Sequence, residues 1–172
     1  MARKYSLLIN EEQLRLYTPI SGTFDWAFIT PHVIVGQDRD IQPLLGQPLF
    51  QRLLDGVNDA NLTTVEEDFL QNFVLKCLAH WTMYHAYPFL PSKLIKSTLT
   101  RVATTDGEAV ELDEALRLQN ELKRNAEFYS KRLREHLENY GDLYDDYDTK
   151  VDGEIEPSND KTYNFGINLT KI

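Results

Sequence analysis

A single cysteine, Cys77, stands in 172 residues. No disulfide can close within the chain and no cysteine cage can hold a metal, so an intracellular setting is expected. Positive charge is also short, with 18 Lys and Arg against 27 Asp and Glu and a formal net charge of −9. Broad electrostatic capture of nucleic acid needs clustered basic groups, and this balance excludes it. The longest apolar stretches, near Phe73–Leu78 and Tyr5–Ile9, fall far short of the ~20 residues that span a bilayer. Neither membrane insertion nor a secretion leader is expected, and Asn61-Leu62-Thr63 and Asn168-Leu169-Thr170 then carry no weight as glycosylation sites. Phosphate-binding and dinucleotide glycine loops, a Gly-x-Ser-x-Gly elbow and a His-Glu-x-x-His pair are all missing.

What is present is the composition of an ordinary globular chain, 42% hydrophobic and 26% charged. The length suits one domain with a remainder. Tyr5, Leu7 and Ile9 precede a short helix expected after Asn10, whose Glu11 and Glu12 suit the positive end of a helix dipole. Pro19, Gly22 and Phe24-Asp25-Trp26 read as a loop with anchoring aromatics. Thr30-Pro31 predicts a helix start, a capping hydroxyl followed by a proline whose missing N–H is harmless in the first turn. Ile34, Ile41 and Leu45 continue at helical spacing, with Val33, Gln37, Asp38 and Arg39 on other faces and Pro43 kinking or ending the run. After Gly46-Gln47-Pro48, Leu49, Phe50, Leu53 and Leu54 predict a short helix closed by Gly56.

Thr64-Val65-Glu66-Glu67 fits a capping box. Phe69, Phe73, Cys77, Trp81 and Tyr84 then recur every three or four residues, which predicts a central helix with a wide apolar face, ended by Pro88 and Pro91. Residues 94–103 and 109–112 flank Asp106-Gly107, a dipeptide suited to a type I′ turn, and predict a β-hairpin near 94–112. Asp113 should cap a long helix through Leu118, Leu122, Ala126, Tyr129, Leu133 and Leu137, stopped by Gly141. Residues 141–172 read as an acidic extended tail in which Tyr163, Phe165, Ile167 and Leu169 alternate with polar residues, the period of a terminal strand over 163–169. Such a strand suits pairing with a sheet edge on its own chain or on another subunit. The fold class expected is mainly α, a helical bundle over residues 1–140 with a projecting hairpin and an extended tail ending in a strand.

Candidate chemistry is thin. His80 and His85 lie five apart on the central helix, Cys77 falls within its apolar face, and local structural roles are expected for all three. Asp146–Glu154 imitates a calcium loop, but Lys150 replaces a ligand and Val151 the required glycine. Lys123, Arg124, Lys131, Arg132 and Arg134 form the most basic patch, and interleaved glutamates make it a salt-bridged exposed face or an intersubunit surface. No cofactor, metal or catalytic residue is expected.

The carrying residues of a wider pattern are Phe24-Asp25, then Ile29–Ile34, then Ile41-Gln42-Pro43-Leu44-Leu45-Gly46 with Leu49 and Leu53. The aromatic helix, the hairpin at Asp106-Gly107 and the long helix to Tyr140 follow in order. Over about residues 7–140 this resembles the head–tail connector (adaptor) proteins of tailed bacteriophages, within them the ring proteins of crAss-like and related phages. The resemblance implies a structural virion protein, made in the host cytoplasm, that forms a homo-oligomeric ring in the neck below the portal. It would touch the portal and other neck or tail proteins, with DNA passing through the channel without sequence-specific binding. Intersubunit contacts are expected at Asp106, Gly107, Tyr163, Phe165, Ile167 and Leu169. A monomeric helical adaptor or regulator binding one protein partner is the alternative.

Overall fold

The fold is described from a computed structural model for residues 6–18, 25–89 and 112–147. Everything regular among the described residues is helical, so the mainly α reading holds. The hairpin near 94–112 up to residue 111, the calcium-like stretch beyond Tyr147 and the terminal strand 163–169 lie outside the described residues.

Helix α1 (Glu11–Tyr17) opens on a reciprocal cap, Gln13 N–H donating to the Asn10 side chain while Gln13 Oε1 accepts from Asn10 N–H. Helix α2 (Trp26–Gly36) starts earlier than the sequence predicts: Asp25 caps it by accepting from Ala27 N–H at 2.9 Å, so Trp26 is helical and Pro31 lies inside. Thr30 does not cap; its hydroxyl donates back to the Trp26 carbonyl at 2.8 Å. Pro31 is tolerated because the carbonyl its absent N–H would have met belongs to Ala27, on the same exposed side.

Nor does Pro43 end the run. A π-helical turn over Gln37–Ile41 joins α2 to α3 (Gln42–Leu45), with Gln42 N–H reaching the Gln37 carbonyl, and the widened turn gives the pyrrolidine room. The chain breaks at Gly46, whose φ of 76° favours glycine, and α4 (Gln47–Asp59) follows. Gly56 does not close α4 as the spacing suggests. It is buried inside the helix, where a Cβ would meet Leu62 Cδ2 at 2.3 Å; the left-handed cap is Ala60.

Helix α5 (Thr64–Phe69) is capped by Thr63 and Glu66, one residue before the predicted Thr64–Glu67 pair. A second π-helical turn, Leu70–Val74, leads into α6 (Leu75–Ala86), which ends in a 3-10 turn at Tyr87–Phe89. Helix α7 (Leu112–Tyr140) already contains Leu112 and Asp113. Asp113 therefore sits in the first turn instead of capping it, and the second predicted strand cannot extend to Leu112. Gly141 stops α7 as expected, and Gly141–Leu143 form a 3-10 turn.

Helix α6 is the axis of one core. Its Leu78 and Thr82 face α2 at Gly36, where the missing side chain lets the helices approach, while Cys77, His80 and Trp81 face α7. Leu45, Leu49 and Leu53 from α3 and α4 join the same cluster, as do Leu8, Ile9 and Leu14 from the amino-terminal segment. Val33 and Gln37, both expected on other faces, are fully buried: Val33 shares the inner stripe of α2 with Ile29, and Gln37 ties the amino-terminal segment down, its Oε1 accepting from Leu8 N–H at 2.7 Å and its Nε2 donating to the Ser6 carbonyl.

Candidate functional site

The residues expected to make intersubunit contacts, Asp106, Gly107, Tyr163, Phe165, Ile167 and Leu169, lie outside the described residues. Two kinds of feature remain: polar groups placed among the helices, and surfaces the bundle leaves open.

The polar groups serve packing. Ser130 Oγ on α7 accepts from Trp81 Nε1 at 2.8 Å and sits 3.3 Å from Cys77 Sγ, which joins α6 to α7 through one hydroxyl. Burial pushes the Cys77 thiol up to about 12, so it is not a nucleophile near neutrality. His80 stacks on Tyr129 with ring centres 4.6 Å apart, and burial lowers its pKa. His85 Nε2–H donates to the Asp40 carboxylate at 2.7 Å, fastening α6 to the π-helical turn of the α2–α3 run. No pattern in the sequence points to this pair, because its partners are distant in the chain and meet only when α2 and α6 pack. Among the described residues no group of three or more His, Cys, Asp or Glu is placed to hold a metal ion.

His136 anchors the corner after α7. Its ring stacks on Phe73 at 4.0 Å, and its Nε2 shares a 2.8 Å hydrogen bond with the Tyr144 hydroxyl. Tyr144 is buried against Phe69, with ring centres 4.5 Å apart, and burial with the nearby Asp68 charge pushes its phenol up to about 12. Residues 141–147 therefore fold back on the bundle, and Tyr147 packs beside Gly141.

The open surfaces lie on the helices flanking α6. On α2, Phe28, His32 and Val35 share a face, and His32 bridges two exposed rings: Phe28 at 5.8 Å and Phe89 at 5.3 Å. Phe28, Val35 and Phe89 are 37%, 41% and 64% exposed. On α7, Arg117, Glu121, Arg124, Phe128, Lys131 and Glu135 recur at helical spacing and every one is exposed, Phe128 at 60%. The basic patch is salt-bridged in part, as Lys123–Glu127, Arg124–Glu121 and Lys131–Glu135, while Arg132 lies over the Phe73 ring. A pocket of about 310 Å³ beside α1, floored by Val57, Leu62 and Leu70, has only Gln13, Glu67 and Gln71 as polar lining. No described helix is long and apolar enough to cross a membrane.

The sequence model of one protein family, described only as a family of unknown function (DUF6712), matches residues 41–155, more than half of the chain. No curated protein and no solved structure matches.

Proposed function

The chain belongs to the DUF6712 family, whose function is unknown, and from that premise we propose that it is a structural, non-catalytic virion protein. It forms a homo-oligomeric ring in the head–tail connector of a tailed bacteriophage, below the portal and around the DNA channel. The order of elements that resembles such connectors supports this reading, as do polar groups spent on joining helices.

The observation that carries it is the reach of α7. Its 29 residues extend roughly 43 Å at 1.5 Å per residue, yet none from Leu116 to Asn125 is buried, whereas Ala126, Ser130, Leu133 and Leu137 are. A helix gripped over one half presents the other half, and whatever it carries, to a neighbour. A negative chain around a DNA channel also favours passage over adhesion.

The test is cryo-electron microscopy of phage particles from the same source. A ring at the portal vertex into which residues 25–89 and 112–147 can be built is the expected result. Absence of the chain from the particles would overturn the proposal and leave the monomeric adaptor as the reading to pursue.

A further inference from the structure

We propose that the outer face of α2 in one copy of this chain docks on the outer face of α7 in the next, so that copies join head to tail. The inference rests on the ring reading and deepens it by naming the two surfaces that meet.

Three observations converge. Helix α6 separates the two faces, since Leu78 and Thr82 turn toward α2 whereas Cys77, His80 and Trp81 turn toward α7. Surfaces on different flanks of a subunit make heterologous contacts, and those close into rings when the rotation between copies permits. The apolar content also matches: the α2 face offers the Phe28–His32–Phe89 cluster with Val35, and the outward stripe of α7 offers one large apolar side chain, Phe128. One exposed aromatic among charges is an anchor awaiting an aromatic surface, because a buried aromatic with a nearby Arg dominates the energy of many interfaces.

Charge points to the same occupant. Within a chain of net charge −9, basic residues outnumber acidic ones between Leu116 and Tyr140, and Arg124 and Lys131 bracket Phe128 one turn away on each side. The α2 face carries both signs, as the α7 stripe does with Glu121 and Glu135: Asp25, which also caps the helix, lies one turn before Phe28, and Asp38 and Arg39 lie one turn after Val35. The ion pairs that hold Arg124 and Lys131 now are surface pairs of 3.5 and 3.6 Å between well-exposed partners. Such pairs exchange for others at little cost, so a second copy bringing aspartates can recruit both cations.

Analytical ultracentrifugation of the full chain over a concentration series tests this with Phe28→Glu and Phe128→Glu, circular dichroism confirming that each variant is folded. Wild type should gain mass with concentration, and each variant should self-associate at least ~tenfold more weakly, the effect expected of an anchor residue. An equimolar mixture of the two variants should recover a heterodimer and nothing larger, because each retains the one face the other lacks. If Phe28→Glu disturbs the fold, Val35→Glu, more exposed on the same face, replaces it. Variants that assemble like wild type, a mixture without heterodimer, or a wild-type chain still monomeric at about 1 mM, where even a weak contact registers, would each overturn the docking. None of these touches the neck reading, which falls only if the chain is missing from the particles.

Discussion

From Ala126 to Leu137, α7 buries Ala126, Ser130, Leu133 and Leu137 at successive turns, whereas from Leu116 to Asn125 every residue of the same helix is half-buried or exposed. Helical propensity and ion pairs three or four residues apart run through both halves, so the backbone does not distinguish them. What differs is the partner: the second half lies on α6 and on the π-helical turn before it, where Trp81 and Phe73 reach across. One regular element can thus be scaffold at one end and open surface at the other, and its amphipathic pattern alone does not say where the change falls.

The largest expected break in that comparison is Leu133→Ala. Leu133 is fully buried, and truncating such a leucine costs about 2–5 kcal/mol. Leu122→Ala, in the half with no buried residue, should cost under ~1 kcal/mol. Urea unfolding of both variants measures the contrast, and equal losses would show that the two halves are gripped alike. Next is Ser130→Ala, which removes the acceptor of the half-buried Trp81 indole N–H; losing such a hydrogen bond costs about 0.5–1.5 kcal/mol, read as a lower urea midpoint with an unchanged slope.

Acid should act on the packed half in the same sense. His136 has a pKa lowered from 6.5, first by burial and then by Arg132, and burial likewise lowers His80 and, with help from His85, His32. Between the lowered folded value and 6.5 the unfolded chain holds more protons, so stability rises with pH there and is lost as pH falls below about 6.5, levelling once the folded histidines are protonated. Urea midpoints between pH 7.5 and 5 should follow that slope, and His136→Phe should flatten part of it. No histidine lies between Leu116 and Asn125, so substitutions there should leave the slope unchanged.

How far this was legible in the sequence depends on the range of the signal. The long apolar periodicities of the central helix and of α7 identified the bundle, because burial on one stripe overrides local detail. Cap positions slipped where two candidates sat close together. Asp25 and Thr30 can both cap, and only packing of the whole α2 turn against α6 selects the earlier one; Thr63 and Thr64 differ by one residue for the same reason. The π-helical turns at Gln37–Ile41 and Leu70–Val74 have no residue signature, since each adds a single residue to a helix that otherwise keeps its pattern. The helical spacing of Ile34, Ile41 and Leu45 puts Val33 and Gln37 on other faces, yet Val33 is core and the Gln37 amide is the buried partner of the Ser6–Leu8 backbone. Of the open surfaces, the charged stripe of α7 was visible as alternating charge, but Phe128 stood out only once its neighbours at Ala126, Tyr129 and Ser130 were seen to face inward.

The smallest expected effect on the monomer is the one that separates surface from scaffold most cleanly. Arg124 reaches Glu121 at 3.5 Å with its side chain 78% exposed and that of its partner 60% exposed. Water screens such a pair and two long side chains lose entropy in holding it, so Arg124→Ala should move the unfolding free energy by less than ~0.5 kcal/mol. Arg132→Ala, whose guanidinium lies 5.3 Å over the Phe73 ring, should cost more, since a cation–π contact adds about 0.5–1 kcal/mol even at an exposed site. The ordering matters more than either value. If removing Arg124 destabilises the folded monomer as much as removing Arg132, the charged stripe is part of the scaffold. If it leaves the monomer untouched yet weakens association of the full chain, the cations beside Phe128 are kept for a neighbour.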